Sequence, residues 1–219
     1  SLAIMPLGTA NDFARACGIP TDPEGAMQLA VSTPPTLIDV GIANGRAFLN
    51  MATGGFGTQV TVETSDELKQ ILGQAAYLVT ALTHFDGIRP VRGVFWGPEF
   101  LWEGEFLVLA VGNSRAAGGG YQLCPLAYLN DGLLDVRLLP DLPAEEVPNA
   151  LGLLFGDGLD AVTTVVGATV TKLYVEADEP IQINLDGEPI TSNRFQFEIL
   201  PRRLPMILPP LCPLIGSRG

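Results

Sequence analysis

Short apolar, strand-like runs separated by turn residues fill most of the chain after Leu37. Many short strands with turn signals between them favour an antiparallel sandwich or an open barrel. Beyond residue 90 the predicted strands are Val91–Trp96, Phe100–Trp102, Phe106–Val111, Leu133–Leu138, Thr169–Glu176, Ile181–Leu185 and Arg194–Leu200. The fold class predicted from this pattern is α+β, mainly β.

A β-hairpin is predicted where Thr36–Ala43 and Arg46–Thr53 flank the pair Asn44-Gly45. Asn-Gly is a strong hairpin signal because both central residues of a type I′ turn need positive φ. Helical patterns are fewer. The one long amphipathic helix is predicted at Glu63–Phe85, and a short helix at Pro143–Phe155.

The first 32 residues have a different pattern. Leu2–Met5 is predicted to be a short buried strand, Asn11–Cys17 a helix that ends at Gly18, and Pro23 the first residue of a second helix that runs to about Val31. A lone strand is not stable without sheet neighbours. We therefore expect the chain to begin inside an α/β domain whose earlier part precedes residue 1.

Composition narrows the function classes. The 219 residues carry 24 acidic and 12 basic side chains, for a net charge of −12. This charge argues against a binder of phosphate backbones, which needs a basic face, and against a polybasic membrane anchor. No apolar run reaches the roughly 18 residues of a membrane span.

The cysteines do not suggest a metal cluster. Cys17, Cys124 and Cys212 lie far apart in the sequence, and His84 is the one histidine. With no CxxC pair, structural zinc is disfavoured and three reduced, buried thiols are expected.

Four segments could carry chemistry, and each has an ordinary structural alternative. The Gly8-Thr9 turn before a helix suits a phosphate, or Thr9 is simply a helix cap. Asp12, in the first turn of that helix, would repel an anion and is expected to be structural. Gly118–Gly120 lets the backbone approach a ligand beside the positive Arg115, or is a flexible connection.

The other two segments are rich in turn residues. Asn130-Asp131-Gly132 is a turn, or a hard-cation site in which Asp131 and backbone carbonyls supply oxygen ligands. Asp186-Gly187-Glu188 is a hairpin turn whose two carboxylates, Asp186 and Glu188, offer a general base.

Taken together and in order, these segments resemble the bacterial diacylglycerol-kinase-type lipid kinases, most closely the YegS-like branch. The resemblance rests on Pro6-Leu7-Gly8-Thr9-Ala10-Asn11-Asp12-Phe13-Ala14, Asn50-Met51-Ala52-Thr53-Gly54-Gly55-Phe56-Gly57, Gly118–Gly120 leading to Gln122-Leu123-Cys124-Pro125, Asn130-Asp131-Gly132-Leu133-Leu134 and Asn184-Leu185-Asp186-Gly187-Glu188-Pro189.

The resemblance implies a role for individual residues. Thr9 matches an ATP-contacting threonine, and Glu188 matches the general base that takes the proton from the lipid hydroxyl. Asp131, with Tyr128 and Leu133 through their backbone carbonyls, matches a site for Mg²⁺, or for Ca²⁺ in its place. Asp39 matches an acid linked to that metal network, and Asp186 and Arg115 are expected to support the site.

The resemblance also implies two domains with the active site between them. Residues 1–36 are then a remnant of an α/β nucleotide-binding domain, 37–203 a β-sandwich domain of the NAD-kinase and diacylglycerol-kinase type, and 204–219 a tail that returns to the first domain. The family's Gly-Gly-Asp-Gly-Thr motif, expected before Thr9, is not in the sequence. We therefore expect a fragment with little kinase activity alone.

The implied reaction is Mg²⁺-dependent transfer of the γ-phosphate of ATP to a hydroxyl of a glycerolipid such as diacylglycerol or phosphatidylglycerol. Two alternatives stay open: an NAD-kinase-like phosphotransferase with a soluble acceptor, and a non-catalytic β-sandwich that binds lipid or a partner. The expected location is the cytoplasm, in peripheral contact with the inner membrane face through Arg89 and Arg92, or Arg202 and Arg203. A homodimer is left open, and no nucleic-acid partner is expected.

Overall fold

The computed structural model describes residues 1–57, 90–143, 145–146 and 164–216. Within these ranges it contains two short helices and an extensive antiparallel β structure. The helices are α1 (Asp12–Cys17) and α2 (Pro23–Ser32). The strands are β1 (Thr36–Ala43), β2 (Arg46–Phe48), β3 (Met51–Gly57), β4 (Val91–Gly97), β5 (Phe100–Gly112), β6 (Ala116–Ala117), β7 (Tyr121–Gln122), β8 (Leu134–Pro140), β9 (Val166–Val170), β10 (Lys172–Leu185) and β11 (Glu188–Met206).

Nine of the described strands form one antiparallel sheet, eight of them in the order β2-β1-β11-β10-β3-β5-β8-β9. Strand β4 also lies between β10 and β5, so β3 and β4 occupy successive parts of the same gap. All nine strands send buried apolar side chains into one core, which the sheet curls around. The predicted antiparallel, mainly β architecture is confirmed.

The hairpin predicted at Asn44-Gly45 is confirmed, and both residues have positive φ (48° and 80°). The second strand is shorter than predicted, because β2 ends at Phe48 and a separate strand begins at Met51. A side-chain carboxylate, described below, binds the N–H groups at this junction and keeps them from pairing with β1.

Several predicted strand boundaries are also wrong. Phe100–Trp102 and Phe106–Val111 are one strand, because Gly104 and Glu105 between them remain paired with β4.

The last three strands also differ from the prediction. The run predicted at Thr169–Glu176 is split after Val170, and its second part is continuous with Ile181–Leu185 in β10. The strand predicted at Arg194–Leu200 is longer at both ends, because β11 pairs with β10 from Glu188 and with β1 as far as Met206.

The N-terminal segment packs against the residues that follow β11. Both predicted helices are confirmed, with Asp22 as the N-cap of α2 and Gly18 (φ 73°) at the end of α1. The buried strand predicted at Leu2–Met5 is wrong: Leu2 makes one isolated bridge to Met206 and its side chain is 43% exposed. Because Met206 is the last residue of β11, the pairing stops at this single bridge, and Leu2–Met5 does not form a strand.

A separate apolar cluster joins these segments to the sheet. We define the tail as residues 207–216. The cluster combines residues of α1, the strands β1 and β11, the Leu129 region and the tail: Ala14, Cys17, Ile19, Ile38, Leu129, Met206, Leu208, Cys212 and Leu214. The helix predicted at Glu63–Phe85, and His84 and Arg89, lie outside the described residues. So does most of Pro143–Phe155. In the part of the chain that is described, no helix is long and apolar enough to cross a bilayer.

Candidate functional site

The two-residue turn between β10 and β11 is built around the carboxylate of Asp186. Asp186 and Gly187 both have positive φ (50° and 110°), and Leu185 pairs with Glu188 across the turn. The Gly187 N–H donates to Asn184 Oδ1 at 2.7 Å. This is the predicted Asp-Gly hairpin, and it projects the Asp186 side chain away from the ladder.

The Asp186 carboxylate accepts hydrogen bonds from three consecutive backbone N–H groups. The donors are Leu49 (2.6 Å), Asn50 (3.0 Å) and Met51 (2.8 Å). Asp186 therefore fixes the β2–β3 junction against the β10–β11 turn.

Asp12 makes a similar link on the other side of the site. Its two carboxylate oxygens accept the Gly119 N–H at 2.9 and 3.1 Å. Gly118, Gly119 and Gly120 all have positive φ, a conformation that favours glycine at each position. The expected structural role of Asp12 is thus to tie α1 to the glycine loop.

A cavity of about 640 Å³ lies between these elements. Its walls come from the segment before α1, the β2–β3 junction, the glycine loop and the β10–β11 turn. Apolar side chains dominate the lining, among them Ile4, Met5, Pro6, Leu7, Phe13, Leu49 and Met51. The polar residues that reach it include Asn50, Asp12, Asn184 and Asp186.

The structure distributes the residues predicted for this cavity unevenly. Thr9 is exposed and lies between Gly8 and Ala10, which line the cavity, but Thr9 itself does not line it. Glu188 is exposed and follows the lining residue Gly187. Both are therefore at the rim.

A second acidic group surrounds Asp39, which is completely buried. The register of β1 against β11 shifts between Ile38 and Val40, so Asp39 lies at a bulge. Its own N–H donates to the Leu129 carbonyl at 2.6 Å, and its carboxylate accepts the N–H groups of Gly132 and Arg202, each at 2.7 Å. Desolvation by burial raises the pKa of Asp39, although both N–H donors oppose the shift.

The predicted metal residues lie in the loop beside Asp39. Asp131 Oδ1 accepts the Leu133 N–H at 3.0 Å, and Gly132 between them has φ 74°. The nearby negative charge of Asp131 also raises the pKa of Asp39. The described residues hold no cluster of three or more His, Cys, Asp or Glu side chains. A cation here would depend on one or two carboxylates and on backbone carbonyls, a donor set that suits Mg²⁺ or Ca²⁺.

Arg115 belongs to this second group rather than to the cavity. Its Nε–H donates to the Ala127 carbonyl at 2.8 Å, and its guanidinium lies 4.7 Å from the centre of the Tyr128 ring. These contacts fix the start of the Tyr128–Leu133 loop. Arg115 thus supports the loop through packing and hydrogen bonding.

Asn113 connects the two acidic groups, and sequence reasoning did not identify this role. Its Nδ2 donates to the carbonyls of Leu49 (2.8 Å) and Asp39 (3.2 Å), and its backbone N–H donates to the Asn50 carbonyl. The side chain is completely buried, and its Oδ1 has no partner within the described structure. A polar residue directly after the apolar run of β5 was the signal that could have revealed it.

Comparisons with known proteins agree with this arrangement. Residues 51–208 match the family described as "YegS C-terminal NAD kinase beta sandwich-like domain". Residues 1–43 match the family described as "Diacylglycerol kinase catalytic domain". The first match covers more than half of the chain and includes seven of the nine strands of the large sheet, all except β1 and β2.

Individual relatives extend the match along almost the whole chain. It is 51% identical over 215 residues to a "probable lipid kinase YegS-like" protein of Pseudomonas aeruginosa strain UCBPP-PA14, covering 98% of this chain and 70% of the relative. A protein with the same name from Stenotrophomonas maltophilia strain K279a is 46% identical, with 99% and 72% covered.

A solved structure shows the same fold. The crystal structure of a candidate diacylglycerol kinase from Bacillus anthracis str. Sterne superposes with a TM-score of 0.83 at 26% identity, covering 97% of this chain and 69% of that one. The fold, the family matches and the relatives agree. The chain belongs to the family of YegS-like lipid kinases.

Proposed function

We propose that this chain carries the acceptor side of an ATP-dependent lipid kinase that transfers the γ-phosphate to a glycerolipid hydroxyl. The observation that carries the proposal is the largely apolar cavity beside the turn that holds Glu188. An apolar lining suits a lipid tail, whereas a soluble nucleotide acceptor would need a polar pocket for its ribose.

Glu188 is proposed as the general base. Its side chain is exposed at the cavity rim, so a lipid hydroxyl could approach it without displacing an internal contact. Asp186, two residues earlier, is engaged by three backbone N–H groups and is proposed to position the turn. Two neighbouring carboxylates would thus have different tasks, one of them structural and the other chemical.

Mg²⁺ is proposed to bind near Asp131, with the backbone carbonyls of Tyr128 and Leu133 as further ligands. Bound there, the ion would neutralise phosphate charge and orient the network that includes Asp39. The residues of this chain hold the loop in place: Asp39 binds the Gly132 N–H, and Arg115 packs on Tyr128.

ATP is proposed to approach the Gly8-Thr9 turn, where the Thr9 side chain is exposed. We expect residues 1–219 alone to phosphorylate lipid weakly, because the Gly-Gly-Asp-Gly-Thr phosphate-binding segment is not part of this sequence. Experiments on catalysis therefore use a longer protein in which a Gly-Gly-Asp-Gly-Thr segment precedes this chain.

Contact with the membrane is proposed to be peripheral and to occur in the cytoplasm. Of the basic pairs considered, Arg202 and Arg203 are both exposed. Arg92 is a weaker candidate because its Nη2 pairs with Glu103 Oε1 at 2.6 Å. With a net charge of −12, binding to an anionic surface would depend on such a local patch.

The test compares acceptors under identical conditions. The longer protein is incubated with labelled ATP and Mg²⁺ and with vesicles that contain diacylglycerol or phosphatidylglycerol, or with NAD in solution. Label transfer to lipid that is abolished by a metal chelator supports the proposal. Transfer to NAD alone would favour the NAD-kinase-like alternative, and vesicle binding without any transfer would favour a non-catalytic lipid-binding domain.

A further inference from the structure

Two of the three cysteines meet where α1 packs against the tail. Cys17 is the last residue of α1, and Cys212 lies in the tail. Both belong to the same apolar cluster, in which Cys17 is completely buried and Cys212 is 5% exposed. Residues almost two hundred positions apart in the sequence are thus neighbours in the fold.

The backbone segments that carry the two cysteines are adjacent. A Cβ added to Gly18, the residue after Cys17, would lie 3.8 Å from Cδ of Pro213, the residue after Cys212. Both cysteine side chains are buried in the same apolar cluster. A disulfide between them would therefore join two segments that already pack together.

The surroundings of the two thiols differ. Interaction with the Cys17 thiol, assisted by the backbone N–H groups of Leu214 and Ile215 and by the charge of Arg115, lowers the pKa of Cys212 to about 7. Interaction with Cys212 and burial raise the pKa of Cys17. Near neutral pH, Cys212 is the better nucleophile because the thiolate is the reactive form.

We propose that Cys17 and Cys212 form a redox pair that hydrogen peroxide converts into an intrachain disulfide between α1 and the tail. Peroxide is a suitable oxidant because it is small and uncharged, whereas only 5% of Cys212 is exposed. The exposed neighbour Leu211, at 92%, places this part of the tail at the surface.

The chemistry proceeds in two balanced steps. The Cys212 thiolate attacks one peroxide oxygen, an S–O bond forms as the O–O bond breaks, and the leaving hydroxide takes a proton to become water. The Cys17 sulfur then attacks the sulfur of the Cys212 sulfenic acid, the S–O bond breaks, and the second water leaves with the Cys17 proton. Two thiols lose two electrons in total, and one peroxide is reduced to two waters.

Cys124 is an internal control. It is completely buried, and its sulfur donates to the Asp135 carbonyl at 3.5 Å rather than to another cysteine. Trypsin separates the three cysteines into peptides 16–46, 116–137 and 204–218. The linkage can therefore be read directly by mass spectrometry.

The experiment treats the folded chain with hydrogen peroxide and alkylates the remaining thiols before digestion. The expected product links peptides 16–46 and 204–218, with the mass of two hydrogen atoms lost, and dithiothreitol separates them. The Cys124→Ser variant should give the same product. The initial rate should increase as pH rises through about 7, following the ionisation of Cys212.

Thermal melting gives a second measurement. The disulfide closes a very long loop, so the oxidised chain should melt at a higher temperature than the reduced chain, and this difference should vanish in Cys212→Ser. Three outcomes would overturn the proposal. Cys17 and Cys212 could both remain alkylated after peroxide treatment, Cys212 could be converted only to sulfinic or sulfonic acid, or Cys124 could enter a disulfide as readily as the other two cysteines.

Discussion

Asp39 and Asp186 both accept hydrogen bonds from backbone N–H groups, but one side chain is buried and the other is exposed. Asp186 is exposed and accepts three backbone N–H groups, whereas Asp39 is completely buried and accepts two. In the interior a carboxylate charge loses its hydration, and two N–H donors do not offset that loss, so the pKa of Asp39 is raised.

The difference indicates what each region does. Asp186 holds the β2–β3 junction in place and thereby shapes the cavity wall. Asp39 holds the backbone N–H groups of Gly132 and Arg202 from a buried position beside the loop that contains Asp131. A cation at the proposed position near Asp131 would stabilise the ionised form of Asp39.

The largest effect is expected for Asp39→Ala. This variant leaves the N–H groups of Gly132 and Arg202 without their acceptor beside a void, and we expect the free energy of unfolding to fall by about 2–4 kcal/mol. Urea denaturation followed by circular dichroism measures the change. If the free energy of unfolding fell no more than it does for an ordinary surface substitution, the buried Asp39 carboxylate would not be what holds the loop.

Asp186→Ala should cost less, about 1–3 kcal/mol, because water can solvate the released N–H groups of Leu49, Asn50 and Met51. The matched control is Asp22→Ala, which removes a helix cap with one N–H donor, Gly25 at 2.7 Å, and should cost about 1 kcal/mol. If Asp186→Ala proved as costly as Asp39→Ala, burial would not be what separates the two carboxylates.

The smallest effect concerns pH. Because the folded pKa of Asp39 is raised above its unfolded value, the folded state binds more protons between the two values. Proton binding by Asp39 therefore stabilises the folded state fully when the pH is below the ordinary carboxyl pKa of about 4. This stabilisation is lost as the pH rises through the raised pKa of Asp39. Melting curves in steps from acidic to neutral pH should show this decline in the wild type and a flatter profile in Asp39→Asn. Equal slopes would contradict the assignment.

The sequence predicted the parts of this comparison that depend on local pattern. Turn residues with obligatory positive φ located the hairpins at Asn44-Gly45 and Asp186-Gly187, and the cap at Asp22 located α2. Motif resemblance selected Asp39, Asp131 and Glu188 for the site.

The long-range contacts were not predictable in the same way. That Asp186 would bind the Leu49–Met51 backbone, or that Asn113 would join the two acidic groups, depends on pairs of residues far apart in the chain. The extent of β5 was missed because Gly104 interrupts its apolar run while its backbone stays paired. Leu2–Met5 was predicted to be a strand from its apolar side chains alone, without knowledge of a neighbour.

The proposed role of Glu188 as the general base is tested by Glu188→Gln in the longer protein. Glu99→Gln, at an exposed turn between β4 and β5, makes the same chemical change away from the cavity and serves as the control. We expect kcat for lipid phosphorylation to fall about 10²–10⁴-fold in Glu188→Gln with unchanged thermal stability, and Glu99→Gln to retain wild-type kcat. An unchanged kcat in a folded Glu188→Gln protein would contradict this role.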